Sequence, residues 1–232
     1  MSVDALIAAV RAALAGAADP ARAPAMQAYM KSAMPYYGVA LPDLRLACRP
    51  VFADHPLSTA ADFDDAVRRL FTEARHREER YAALALARER RYRMYQTPAR
   101  VPLYADLVVA GAWWDTVDEL ASNLIGPILL AHLSEVRPIV REWINSPDVW
   151  LRRTSIIVQL TFRDDTDLDL LTEAVDANAG DTDFFIRKAI GWALRQYART
   201  DPDWVRGFVD GRERTLSGLS KREARKHLNA SA

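Results

Sequence analysis

The chain has a single cysteine, Cys48, among its 232 residues. One thiol rules out a disulfide framework and any cysteine-rich zinc site. Histidine is nearly as scarce. His55, His76, His132 and His227 lie scattered, with no H-x-x-x-H spacing of metal ligands. Neither a metal nor another cofactor is expected. Long apolar runs are missing too. The longest stretch free of Asp, Glu, Lys and Arg is 15 residues, Leu120–Ser134, and it contains Asn123 and His132. That falls short of the roughly 20 apolar residues that span a bilayer, so no membrane partner is expected.

Net charge is also absent, with 31 basic against 31 acidic side chains. Half of the chain is apolar, which excludes the composition of a disordered tail protein. Zero net charge argues against holding nucleic acid through bulk charge, but it leaves room for a local basic face. Residues 131–180 carry 5 basic and 9 acidic side chains, and residues 181–232 carry 11 and 7. Nucleophile and nucleotide motifs are missing: there is no G-x-S-x-G, G-x-x-x-x-G-K-[ST] or G-x-G-x-x-G. Strand signals are missing as well. The one Asp-Gly pair, Asp210-Gly211, lies between helical segments and lacks flanking alternation.

What the chain does have is the helical period. Arg77–Arg93 (REERYAALALARERRYR) predicts one amphipathic helix with Tyr81, Leu84, Ala85, Ala87 and Tyr92 on its apolar face. Pro24, Pro42, Pro98, Pro102, Pro138, Pro147 and Pro202 stand near segment starts, where proline is tolerated. The spacing predicts an all-α chain of about a dozen helices, each roughly 10–17 residues long. The Ala-rich amino-terminal segment is interrupted by Asp4 and Arg11 and has no preceding basic region. It reads as an amphipathic helix, not a signal peptide, which makes the cytoplasm the expected location.

The segments repeat. ERYAALAL (79–86), LRRTSIIV (151–158) and IRKAIGWA (186–193) align through Tyr81, Arg153 and Lys188, at steps of 72 and 35 residues. DTVDELAS (115–122) fills the intermediate register. A period near 36 with two helices per unit marks an α-solenoid of about six helix pairs, whose equivalent positions line one concave surface. Asp118, Arg153 and Lys188 share that position to within one residue. The expectation is one domain over residues 1–232.

Four stretches could carry chemistry. Trp113 and Trp114 are adjacent, so on a helix they project about 100° apart and cannot both centre on the core. Trp114 and Asp118, at i and i+4, share a face. An indole beside a carboxylate can stabilise positive charge, although a buried Trp beside a surface acid has the same spacing. In Asp148–Arg153, one of Arg152 and Arg153 can face the concave side while the other meets solvent or an acid; a structural ion pair fits equally. Lys188, Trp192 and Arg195 form an i, i+4, i+7 stripe. It suits a phosphate backbone with a sugar or base on the indole, or else two surface cations flanking a half-buried Trp. Gly191 beside it permits close approach of a neighbouring helix or ligand. Finally, LSKREARKH (219–227) begins as a capping box, with Ser220 as N-cap and Glu223 at N3. That puts Lys221 and Arg222 in a first turn, a phosphate seat or a solvated capping helix.

Five segments, AYMKSAMPYYGVALPDLR (28–45), WWDTVDELASNLIG (113–126), WLRRTSIIVQL (150–160), FFIRKAIGWALRQYARTDP (184–202) and LSKREARKHL (219–228), together resemble the AlkD-like DNA alkylation repair family of HEAT-like-repeat DNA glycosylases. The resemblance runs from about residue 20 to residue 228. It implies removal of N3- or N7-alkylated purines from duplex DNA, without base flipping and without a cofactor. It implies Asp118 as the catalytic carboxylate, Trp114 and Trp192 as the active-site indoles, and Arg153 as the active-site arginine, holding the phosphate near the lesion. Tyr29 and Lys31 would contact DNA, joined by Arg152, Lys188, Arg195, Lys221 and Arg222. A monomer, associated with the nucleoid when bound to DNA, is expected. The other functions compatible with the residues are a noncatalytic DNA-binding solenoid and a protein scaffold.

Overall fold

The structure, a computed structural model, describes residues 2–228. Every regular element in them is helical. The chain forms two compact units, one ending at Gln96 and the other starting at Thr97.

The first unit contains α1 (Val3–Gly16), α2 (Ala23–Met30), α3 (Leu41–Asp54), α4 (Ala60–Thr72) and α5 (Arg77–Ala87). Val3, Leu6, Ile7, Val10 and Leu14 form the buried face of α1, and the Ser2 hydroxyl caps it by accepting from Ala5 N–H. α1, α3, α4 and α5 pack on one another. Here the expected stripe on residues 77–93 needs correction. α5 stops at Ala87, and Arg90–Tyr95 turns as a 3-10 helix that buries Tyr92, whose hydroxyl accepts from Leu57 N–H. α5 is buried almost all round, including Arg77, Glu78 and Glu79. The Glu78 carboxylate accepts from the backbone N–H groups of Tyr37, Gly38 and Val39, which compensates its desolvation. That grip holds the loop at Gly38, where φ is +86° and a Cβ would stand 2.0 Å from the Asp19 carbonyl oxygen. Only glycine fits there.

The second unit contains α6 (Val101–Gly111), α7 (Trp114–Leu120), α8 (Gly126–Ala131), α9 (Leu133–Ile144), α10 (Val149–Ile157), α11 (Leu168–Asn178), α12 (Phe184–Tyr197), α13 (Pro202–Asp210) and α14 (Gly218–Ala224). Aspartates start several of them: Asp148 accepts from Trp150 and Leu151 N–H, Asp183 from Phe185 and Ile186, and Asp201 from Trp204. Each is an N-cap satisfying donors that a helix start leaves unpaired. α7, α10, α12 and α14 form one row in which each helix packs on the next, with α9, α11 and α13 behind them. Two helices per step is the solenoid-like pattern expected from the repeat.

The helices are shorter than expected, at 6–14 residues. One cause lies between α7 and α8, where Ala121–Ile125 form a π-helical turn. Pro138 is a second departure: it lies inside α9, not at its start.

Candidate active site

The α7–α10–α12–α14 row arranges the site. Trp113 is extended and immediately precedes α7. Its ring packs against Trp150, with centroids 6.1 Å apart, and against Phe185 at 5.3 Å. Trp114 is the first residue of α7 and lines an open cavity of about 240 Å³ with Asp118, Arg153, Phe184, Phe185, Lys188, Trp192 and Arg195. The two adjacent indoles therefore part company, one into an aromatic cluster and one to the cavity.

Asp118 follows one turn after Trp114. From α10, Arg153 donates Nε–H to Oδ1 at 2.8 Å and Nη2–H to Oδ2 at 2.9 Å. Its Nη1 donates to the Phe185 carbonyl at 2.6 Å. Arg153 is only 4% exposed and Asp118 17%. This is a bidentate fork on a nearly buried carboxylate. Burial pushes the Asp118 carboxyl above its ordinary range; Arg153 pulls the other way, and Asp115 adds to the rise. The Ser122 hydroxyl, in the π-helical turn, donates to the Asp118 carbonyl at 2.6 Å. Such turns recur at functional sites because they re-aim the flanking helix.

A second depression, of about 360 Å³, adjoins the first. Asp118 and Trp192 line both, and Asp115, Glu119, Asn123, Thr161 and Gln196 contribute to the second. Asp118 thus stands where two open hollows meet, beside an indole that is only half buried.

The structure brings Asp118, Arg153, Trp114 and Trp192 together around one hollow, with the Arg153 guanidinium turned to Asp118. Three of its five N–H donors are in use, two on Asp118 and one on a backbone carbonyl. Arg152 donates to the Ser146 and Pro147 carbonyls and to Asp181. Lys188 and Arg195 both reach Glu223. The expected capping box is not formed, because the N-cap lies three residues earlier. Ser217 is the N-cap of α14, accepting from Ser220 N–H, while the Ser220 hydroxyl donates to the Arg187 carbonyl. Lys221 and Arg222 consequently fall in the last turn of α14, and the phosphate seat at a helix start is lost. Lys221 donates to the Glu213 carbonyl and carboxylate, and Arg222 is exposed. Tyr29 and Lys31 belong to the first unit. Both are exposed, and Lys31 ends α2 in a left-handed conformation with φ of +50°.

The local sequence marks Glu223 only as a capping residue. The signal that could have revealed its partner was spacing. Asp118, Arg153, Lys188 and Glu223 recur every 35 residues, one on each helix of the row, and each acid pairs with the base one step away.

The chain matches the DNA alkylation repair enzyme family over residues 10–228. It belongs to that family. Membership gives it a role in DNA repair, with DNA as its partner. Among solved structures it is similar to one described as a predicted DNA alkylation repair enzyme from Enterococcus faecalis. The two are 29% identical, covering 93% of this chain and 98% of that one, with a TM-score of 0.75. No curated protein matches the chain. Among the described residues, no group of three or more His, Cys, Asp or Glu is placed to hold a metal ion. No helix among them is long and apolar enough to cross a membrane.

Proposed function

We propose that the protein is a DNA glycosylase that hydrolyses the N-glycosidic bond of N3- and N7-alkylated purines in duplex DNA. The observation carrying this reading is the Asp118 carboxylate, fixed by Arg153 in an open hollow that it shares with Trp114 and Trp192.

The chemistry follows from charge. An N7- or N3-alkylpurine is a cation, so it departs as a neutral base when the bonding pair of C1′–N moves onto the ring. No strong general acid is needed. Positive charge appears instead on the deoxyribose, as an oxocarbenium-like centre. Asp118 stabilises that charge and orients the water whose oxygen bonds to C1′; the proton released passes to the carboxylate or to solvent. Low exposure strengthens the attraction. The indole faces of Trp114 and Trp192 add to it from the sugar's sides. Arg153 holds Asp118 ionised and aimed, and gives it no freedom to turn away.

Both hollows are open, and neither is a deep slot for an extruded base. Gripping the sugar and leaving the base stacked suits such a surface and tolerates bulky adducts. All four residues come from one chain, which suits a monomer.

The test is to incubate the purified protein with duplex DNA carrying N7-methylguanine or N3-methyladenine and measure free base. Salt-dependent DNA binding with no release from either substrate would favour a noncatalytic lesion-binding protein.

A further inference from the structure

We infer that Glu223 is a positioning residue that holds Lys188 and Arg195 as a preformed phosphate seat on either side of Trp192. The inference rests on the glycosylase reading above.

One carboxylate ties both ends of the stripe on α12. Lys188 Nζ donates to Oε1 at 2.8 Å and Arg195 Nη1 to Oε2 at 2.8 Å; Lys226 Nζ also donates to Oε1, at 2.7 Å. Glu223 is 5% exposed, so it works from behind the cations and not from the groove. Its reach depends on a close approach of α14 to α12. A Cβ on Gly191 would stand 2.5 Å from the Glu223 Cβ and 2.9 Å from the Ser220 carbonyl oxygen. The hydrogen bond from Ser220 to the Arg187 carbonyl, at 2.8 Å, locks the same contact. Gly191 therefore serves the carboxylate, which explains a helix-weakening residue in the middle of α12.

The cluster stays cationic, since three basic groups share one acid. Lys188 has three N–H donors and Arg195 five. Each spends one on Glu223 in the bonds found among the described residues. Lys188 is 38% exposed and Arg195 25%, and both line the hollow that holds Asp118 and Trp192. Arg153 is only 4% exposed, so Lys188 and Arg195 are the better-placed holders for the phosphate beside the reacting sugar. Lys188 and Arg195 have donors left over for it. Long cationic side chains normally pay for ordering when DNA arrives; Glu223 orders them beforehand. That places the sugar correctly against Asp118, which is where misplacement costs rate. The carboxylate remains ionised throughout: burial works to raise it, but Lys188 and Lys226 hold it well down, to about 2.

A merely structural tie between α12 and α14 would make a different prediction. The experiment compares wild type, Glu223→Gln and Glu223→Asp on one duplex, with and without N7-methylguanine. It reads three quantities: single-turnover release at saturating protein, the salt slope of binding to the undamaged duplex, and the melting temperature. Gln removes a negative charge but keeps the shape, so binding to the undamaged duplex tightens and its salt slope steepens by up to about one unit. Release nonetheless slows about tenfold, an estimate for lost positioning. Asp keeps the charge but is one methylene short of spanning both cations, so release slows with a wild-type salt slope. Wild-type release rates in both variants overturn the inference. So does a loss of release wholly explained by weaker binding and a lower melting temperature. If wild type releases no base, the glycosylase reading fails on its own. The slopes then decide for Glu223, and an unchanged slope in Glu223→Gln overturns the seat.

Discussion

Arg153 grips both carboxylate oxygens of Asp118, at 2.8 and 2.9 Å, across the 35 residues that separate α7 from α10. The pair is nearly buried, and breaking it from either side has different consequences. Arg153→Ala leaves a nearly buried carboxylate uncompensated, which costs about 3–5 kcal/mol. Thermal melts should show it, with base release abolished. The salt slope of DNA binding should stay at the wild-type value, since Arg153 is turned to Asp118; a drop of about one unit would mean that it holds a phosphate after all.

The pH dependence of release follows from the direction of the Asp118 shift. Burial raises its carboxyl above the ordinary range despite Arg153. The proposed chemistry uses the ionised form. Single-turnover release should therefore rise with pH through a midpoint above the ordinary aspartate value of about 3.9, then level off. A midpoint at or below that value contradicts the burial argument.

Gly191→Ala sets helix propensity against space. Alanine favours the helix by roughly 1 kcal/mol. Its methyl group, however, would meet the Glu223 Cβ at 2.5 Å and a backbone oxygen of Ser220 at 2.9 Å. The backbone contact cannot yield cheaply, and overpacking typically costs about 1–3 kcal/mol. Net destabilisation is expected, read as a lower melting temperature together with slower release. A stabilised variant would show that α14 does not seat against α12 as described.

Cys48 offers an independent check on the first unit. It is fully buried, and burial alone pushes its thiol up to about 12. A buried neutral thiol is inert. The native protein should not react with an aromatic disulfide reagent at pH 8 over minutes, whereas the unfolded chain should titrate one thiol. Rapid labelling of the native state would contradict the core assignment of α3.

The helical period and the close approach at Gly191 were legible because each is a local property of a few residues. Trp114 with Asp118 was legible for the same reason, since i and i+4 share a helix face wherever the helix sits. Pairings between helices were not. Arg153 could have met a phosphate, an acid or solvent, and only the seating of α10 on α7 and α12 decides which. Glu223 is misplaced by the local pattern because the S-x-x-E spacing points to Ser220 as the N-cap, whereas α14 is capped at Ser217 and turns the Ser220 hydroxyl onto the Arg187 carbonyl. The α5 stripe failed because Glu78 and Glu79 are buried, their cost met by loop N–H groups and Arg11 that no helical pattern reveals.

The most direct test of the central claim compares wild type with Asp118→Asn on duplex DNA containing N7-methylguanine. Asparagine keeps the shape and one acceptor for Arg153 but removes the negative charge. Wild type should release free N7-methylguanine, and the variant should fold, bind DNA and release it at least about a hundredfold more slowly, the usual scale for losing one electrostatic stabiliser. Equal release by the two proteins, or none by wild type, would contradict the account.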